Sequence, residues 1–212
     1  MGQTLKIGSR IELVPMDPHC HDISIALYRQ SQEAGSAYLV HTYSSLEDAP
    51  GRIAFVKIAM CFLGGMDAGS DGLLRFPCSE SHELAIKRVF LEACKLPSDA
   101  KLTPRPLQVF DKKSGLTMDI IRGENGRYQI IAEGEGKDKE KRISYIAGGL
   151  MKLGQMNEAE QRLDLISFPC GQPHDAMLGV LLVRAPNVRA ALREQEATTD
   201  RGVLAAPSQQ DR

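Results

Sequence analysis

Apolar residues alternate with polar or small ones at Ile23, Ile25 and Leu27, and again at Leu116, Met118 and Ile120. A period of two is the mark of strands with one buried face. Ile11–Val14 and Leu107–Phe110 read as strands before them. After the turn signals Glu33–Ser36 and Gly123–Gly126, Tyr38-Leu39-Val40 and Tyr128-Gln129-Ile130-Ile131 read as strands after them. The pattern then becomes helical. Residues 53–63 and 143–153 are apolar almost all round, with Lys57 and Lys152 as their only charges, and each stretch ends at a glycine (Gly64, Gly154) suited to a left-handed stop. A short strand leads into Phe-Pro-Cys, and a second helix begins at the following histidine. The predicted order per half is β-β-β-α-β-α. Strands joined by short turns are antiparallel, which makes the class α+β.

The two halves are written in the same words. Arg52-Ile53-Ala54-Phe55-Val56 returns as Arg142-Ile143-Ser144-Tyr145-Ile146, and Leu63-Gly64-Gly65-Met66 as Leu153-Gly154-Gln155-Met156 at the same offset. Phe76-Pro77-Cys78 returns as Phe168-Pro169-Cys170, each followed at equal distance by a histidine and an acid, His82-Glu83 and His174-Asp175. The expectation is an internal tandem duplication: a first unit over 8–97, a connector over 98–105, a second unit over 106–192 and a polar, flexible tail over 193–212. A helix with no polar face needs cover on several sides. The units are therefore expected to pack as a pseudo-twofold pair with helices 53–63 and 143–153 at the seam, where Gly148 and Gly149 allow close approach. A homodimer interface on one of these apolar faces is the alternative.

Composition narrows the class. The chain has 212 residues, is 42% hydrophobic and carries 26 Lys+Arg against 27 Asp+Glu, which excludes general disorder and gives no basic bias toward nucleic acid. No apolar run reaches the roughly 18–20 residues of a spanning helix, so membrane insertion is not expected. The amino terminus lacks a secretory pattern. Five cysteines (Cys20, Cys61, Cys78, Cys94, Cys170) make no disulfide framework for this length, so reduced thiols in the cytoplasm are expected.

Candidate chemistry centres on the recurring Phe-Pro-Cys-x3-His. Proline ends the strand, and the cysteine falls in a strand-to-helix turn near the positive end of a helix, a field that favours thiolate and disfavours imidazolium. Three readings follow for Cys78, His82, Cys170 and His174. They can be packing residues. They can be one tetrahedral S2N2 metal set, zinc being the ion such ligands suit, if the halves bring the turns together. They can be catalytic thiols with histidine bases.

A second candidate is Asp17-Pro18-His19-Cys20-His21-Asp22. Residues 14–21 resemble the H-x-H metal segment of amidohydrolases, and the resemblance implies metal ligation by His19 and His21 at the end of a strand. It stops there, because no barrel order of strands and helices follows. The residues themselves read as a hairpin loop. Glu133–Arg142 reads as a solvated mixed-charge loop opening a helix, and the recurring Tyr38 and Tyr128 as packing residues. Phosphate loops, dinucleotide fingerprints, nucleophile elbows and C-x-x-C pairs are absent from the sequence. The leading expectation is a cytoplasmic module binding a small molecule or a protein partner in a cleft between its halves. A metal- or thiol-dependent enzyme and a structural subunit of a complex are its rivals.

Overall fold

The computed structural model describes residues 10–14, 23–32, 35–42, 47–135 and 138–204. His19, Cys20 and His21 lie outside them, as do residues 205–212.

The amino-terminal half runs β1 (Arg10–Val14), β2 (Ile25–Gln32), β3 (Gly35–Thr42), α1 (Ala49–Gly64), β4 (Asp67–Ala68), β5 (Leu74–Arg75) and α2 (Glu83–Cys94). The carboxy-terminal half runs β6 (Gln108–Asp111), β7 (Leu116–Arg122), β8 (Arg127–Glu133), α3 (Lys139–Gly154), β9 (Asn157–Ala159), β10 (Arg162–Ser167) and α4 (Asp175–Arg184), followed by α5 (Val188–Leu204). Each half forms an antiparallel five-stranded sheet, ordered β1-β2-β3-β5-β4 in one and β6-β7-β8-β10-β9 in the other. The fold is α+β, as the alternation predicts. Ile25, Leu27, Met118 and Ile120 are buried, and Leu27 faces Val40 while Ile120 faces Ile130 across the ladders.

Each half contains one strand more than its predicted order. Two- and three-residue strands β4 and β9 turn the approach to Phe-Pro-Cys into a hairpin, and segments so short carry no readable period. The first helices lie at the seam as expected, but each meets the second helix of the other half rather than its own counterpart: α1 packs on α4, α3 on α2, and α2 on α4. On α1, Ile58 (59%) and Phe62 (38%) stay exposed. Only one of the paired glycines in α3 is needed for close approach: a Cβ on Gly149 would meet the Ala185 carbonyl oxygen at 2.9 Å, whereas Gly148 faces open space.

The helix stops fall one residue later than predicted. Gly64 and Gly154 are the last helical residues, and Gly65 (φ 62°) and Gln155 (φ 53°) take the left-handed position. Gly154 is small for packing, since a Cβ there would strike Leu181. Residues 193–204, expected as a flexible polar tail, belong to α5. Buried Arg88 of α2 holds that helix by donating to Glu194 Oε2 (2.8 Å) and the Ala191 carbonyl (2.5 Å). Of the charged residues in this stretch, Glu194 is paired inside the molecule, with Arg88 and Lys95.

Candidate metal centre

Both Phe-Pro-Cys segments leave a strand in the same way. Proline cannot donate to the ladder, β5 and β10 stop just before the phenylalanine, and a tight turn follows. The fourth residue donates its N–H back to the phenylalanine carbonyl, Ser79 to Phe76 at 3.3 Å and Gly171 to Phe168 at 2.9 Å. Both fourth residues have positive φ, 63° and 68°. Cysteine occupies the third position, and the next helix starts right after the histidine. His82 and His174 stand at the N-cap positions, their carbonyls accepting the first intrahelical bonds from Ile86 and Leu178. His82 is held left-handed (φ 44°), a conformation few non-glycine residues adopt, though histidine is one of those that adopts it more readily.

The recurring tyrosines hold these segments in place. Tyr38 lies opposite Leu74 and Tyr128 opposite Ile166, both two residues before the phenylalanine. The Tyr38 hydroxyl donates to the Ser81 carbonyl, next to His82. The Tyr128 hydroxyl accepts the His174 N–H and donates to Asp175 Oδ1, both at 2.7 Å. Burial raises both phenols above their ordinary range, with Asp175 adding to the effect at Tyr128, so both stay protonated donors. In the sequence they read as core. Their recurrence at nearly the same distance from Phe-Pro-Cys, 38 positions (76 − 38) and 40 positions (168 − 128), was the available signal. Gly126 supports the second turn from below: its φ is +67°, and a Cβ there would fall 2.3 Å from the Gly171 carbonyl oxygen.

The packing of α2 on α4 brings the two turns together. Cys78 Sγ lies 2.9 Å from His82 Nε2, and Cys170 Sγ 3.2 Å from His174 Nε2. The two imidazoles meet edge-to-face with centroids 4.5 Å apart, and Phe76 and Phe168 enclose them at 5.1–5.9 Å. One ligand atom from each of Cys78, His82, Cys170 and His174 lies within 4.8 Å of every other. Tetrahedral zinc, with Zn–S of ~2.3 Å and Zn–N of ~2.0 Å, needs edges of roughly 3.3–3.8 Å. The two cysteine–histidine pairs lie just under those edges and every other pair lies within 4.8 Å, so the four atoms fit such an ion after small side-chain adjustments. Backbone amides also point at the sulfurs. Gln172 N–H donates to Cys170 Sγ at 3.4 Å, and the Glu80 amide plays the same part at Cys78.

The electrostatics correct one expectation. Burial pushes the Cys78 thiol up to about 11, the neighbouring Cys170 adding to it, so the helix field does not win there. Burial also lowers both imidazoles to about 4, and His82 adds to the effect at His174. The histidines are thus neutral at physiological pH, as a metal ligand must be. Glu83 pairs with Arg29 at 3.7 Å and Asp175 with Arg122 at 3.2 Å, so neither acid belongs to the donor set.

A small, largely apolar cavity of about 230 Å³ lies between α1, the connector and the start of α4, lined by Phe62, Leu63, Arg105, Leu107 and Ala176 among others. It contains neither cysteine.

No protein-family model, no curated protein and no solved structure matches this chain. The site must be read from its own chemistry.

Proposed function

We propose that this chain is a metal-binding protein in which Cys78, His82, Cys170 and His174 hold one transition-metal ion, zinc before others. The supporting observation is that four donors of zinc-ligating type, two from each half, converge within 4.8 Å. Two sulfurs and two imidazoles with an approximately tetrahedral demand favour zinc over the hard oxygen-seeking cations. All four positions of such an ion would come from the chain, leaving none for water, which suits a structural clamp better than a Lewis-acid catalyst. The matching strand orders and the two similar turns support descent from one duplicated unit, with the ion joining the copies where the turns meet.

The test is direct. Protein purified without chelator is expected to carry one zinc per chain, and cobalt substitution is expected to give the visible absorption of a tetrahedral thiolate site. Cys170→Ser is expected to lose stoichiometric zinc. Zinc-free protein with no cobalt spectrum removes the reading, leaving the four side chains as packing.

A second reading, that the chain binds a copy of itself, has its own observation. Gly51, Ala54, Phe55, Ile58, Cys61, Phe62 and Gly65 share one outward face of α1, none of them charged or fully buried. Lys57 turns away to the Gly72 carbonyl at 3.0 Å. We infer that a second α1 covers this face in antiparallel fashion. A twofold axis at Ile58 sets Ala54 against Phe62 and Phe55 against Cys61 of the second copy, large against small, with glycines meeting at both ends.

A further inference from the structure

We propose that Cys78 and Cys170 are a peroxide-sensitive pair, and that their disulfide replaces the metal as the link between the halves. The switch rests on the metal reading for what it releases, but the pairing of the sulfurs stands on geometry alone.

The two sulfurs belong to turns 92 positions apart in sequence (170 − 78) and yet lie within 4.8 Å of each other. A disulfide needs them at ~2.05 Å, with Cβ atoms roughly 3.5–4.5 Å apart. Each sulfur sits at the end of one rotatable bond, in a turn fixed by backbone hydrogen bonds, so side-chain rotation is the movement available to close the gap. Access is uneven in a useful way. The cysteines are half-buried, whereas both histidines are only 5% exposed and walled by phenylalanines. A small oxidant from solvent therefore meets sulfur first. Competing thiols among the described residues are badly placed: Cys94 is 1% exposed within the core and Cys61 faces outward on α1, and neither belongs to the four-residue group.

The chemistry balances with a hydroperoxide as oxidant. With zinc bound, both cysteines are held as thiolates despite the raised Cys78 thiol, and one of them attacks the O–O bond, forming a sulfenic acid and releasing an alcohol, or water from hydrogen peroxide. The second thiolate attacks that sulfur and expels hydroxide, which takes up a proton to leave as water. Two thiolates, one hydroperoxide and two protons thus give one disulfide, one alcohol and one water. Both sulfurs leave the donor set, so His82 and His174 alone remain, and two imidazoles without thiolates hold zinc far more weakly. An external dithiol reverses the step by exchange.

The experiment uses the full chain loaded with one equivalent of zinc and titrated with hydrogen peroxide. Released zinc is followed by a chromophoric chelator, and the linkage by mass spectrometry of a non-reduced digest. The expected result is a Cys78–Cys170 cross-linked peptide, one zinc released per cross-link, and recapture after dithiothreitol. Cys78→Ser should abolish the cross-link. Oxidation that ends in sulfinic acid, that pairs other cysteines, or that leaves zinc bound beside the cross-link overturns the switch. The two readings fail separately. A chain that never binds zinc but forms the cross-link defeats the metal reading alone. A zinc-loaded chain that never cross-links defeats this one alone.

Discussion

Tyr128 shows how one side chain can carry a site without being a ligand. Its hydroxyl is the hydrogen-bond partner of the buried His174 N–H and a donor to Asp175. Tyr128→Phe keeps the ring packing but leaves that N–H unpartnered, a loss of about 1–3 kcal/mol for a buried polar group. Urea unfolding is expected to register that loss, and zinc affinity is expected to fall with it because the His174 backbone is no longer held. An unchanged midpoint together with unchanged zinc affinity would show the hydroxyl to be dispensable. Arg52 is the comparable residue in the first half. It is buried, and it caps the end of α2 by donating to the carbonyls of Leu96 (2.6 Å) and Cys94 (2.8 Å), where a cation also suits the helix field. Its counterpart Arg142 is used differently, donating to Asp111 at 2.6 Å. Both arginines are visible in the sequence as the first residue of a recurring word. Their partners are not, because those partners lie on other elements.

The helices divide the labour among themselves. α2 and α4 carry the histidines at their first turns and meet at the seam, so the distance between the two turns follows from helix packing. α1 supports this pair from one side and leaves Ile58 and Phe62 outward. Ile58→Asp, at an exposed position, is expected to leave the fold intact while converting a dimer to a monomer in analytical ultracentrifugation. A wild-type chain that sediments as a monomer at high concentration would dispose of the α1 interface. α5 is tied on by charge. Glu194 is partly buried, which raises its carboxyl, but hydrogen bonds from Lys95 and Arg88 more than compensate and hold it below the usual range. A carboxylate depressed in the folded state stabilises above its unfolded value of about 4.3, and that contribution disappears as pH falls through the lower folded value. Amide hydrogen exchange in α5 should therefore accelerate on acidification below about pH 4, and Glu194→Gln should show the faster exchange already at neutral pH.

At the scale of the whole molecule, neither half is complete. Gln155 Oε1 accepts the N–H of Leu84 at the start of α2, and Arg88 reaches Glu194, so the amino-terminal half depends on groups from beyond residue 105. The buried helix α2 would also lose its packing against α4 and α3. A fragment of residues 1–105 is expected to lack a cooperative thermal transition by circular dichroism, and mixing with residues 106–212 and zinc is expected to restore one. A sharp transition in the isolated fragment would contradict this dependence.

By itself the sequence determined what is local: the period-two strands, the greasy first helices, the turns at Phe-Pro-Cys, and the four donors at matching places in two matching segments. These features follow from spacing and stereochemistry within a few residues, which a linear pattern records directly. The tertiary structure decided everything that depends on distance through space. It set α2 against α4 rather than α1 against α3, and so brought Cys78 and Cys170 together. It buried the imidazoles and half-buried the Cys78 thiol, overriding the helix field that the turn alone would suggest. It also turned two apparent packing tyrosines into supports for the site and an apparent tail into a charged strap. Burial and long-range contact are properties of packing, and packing is summed over elements that the pattern of any one element cannot see.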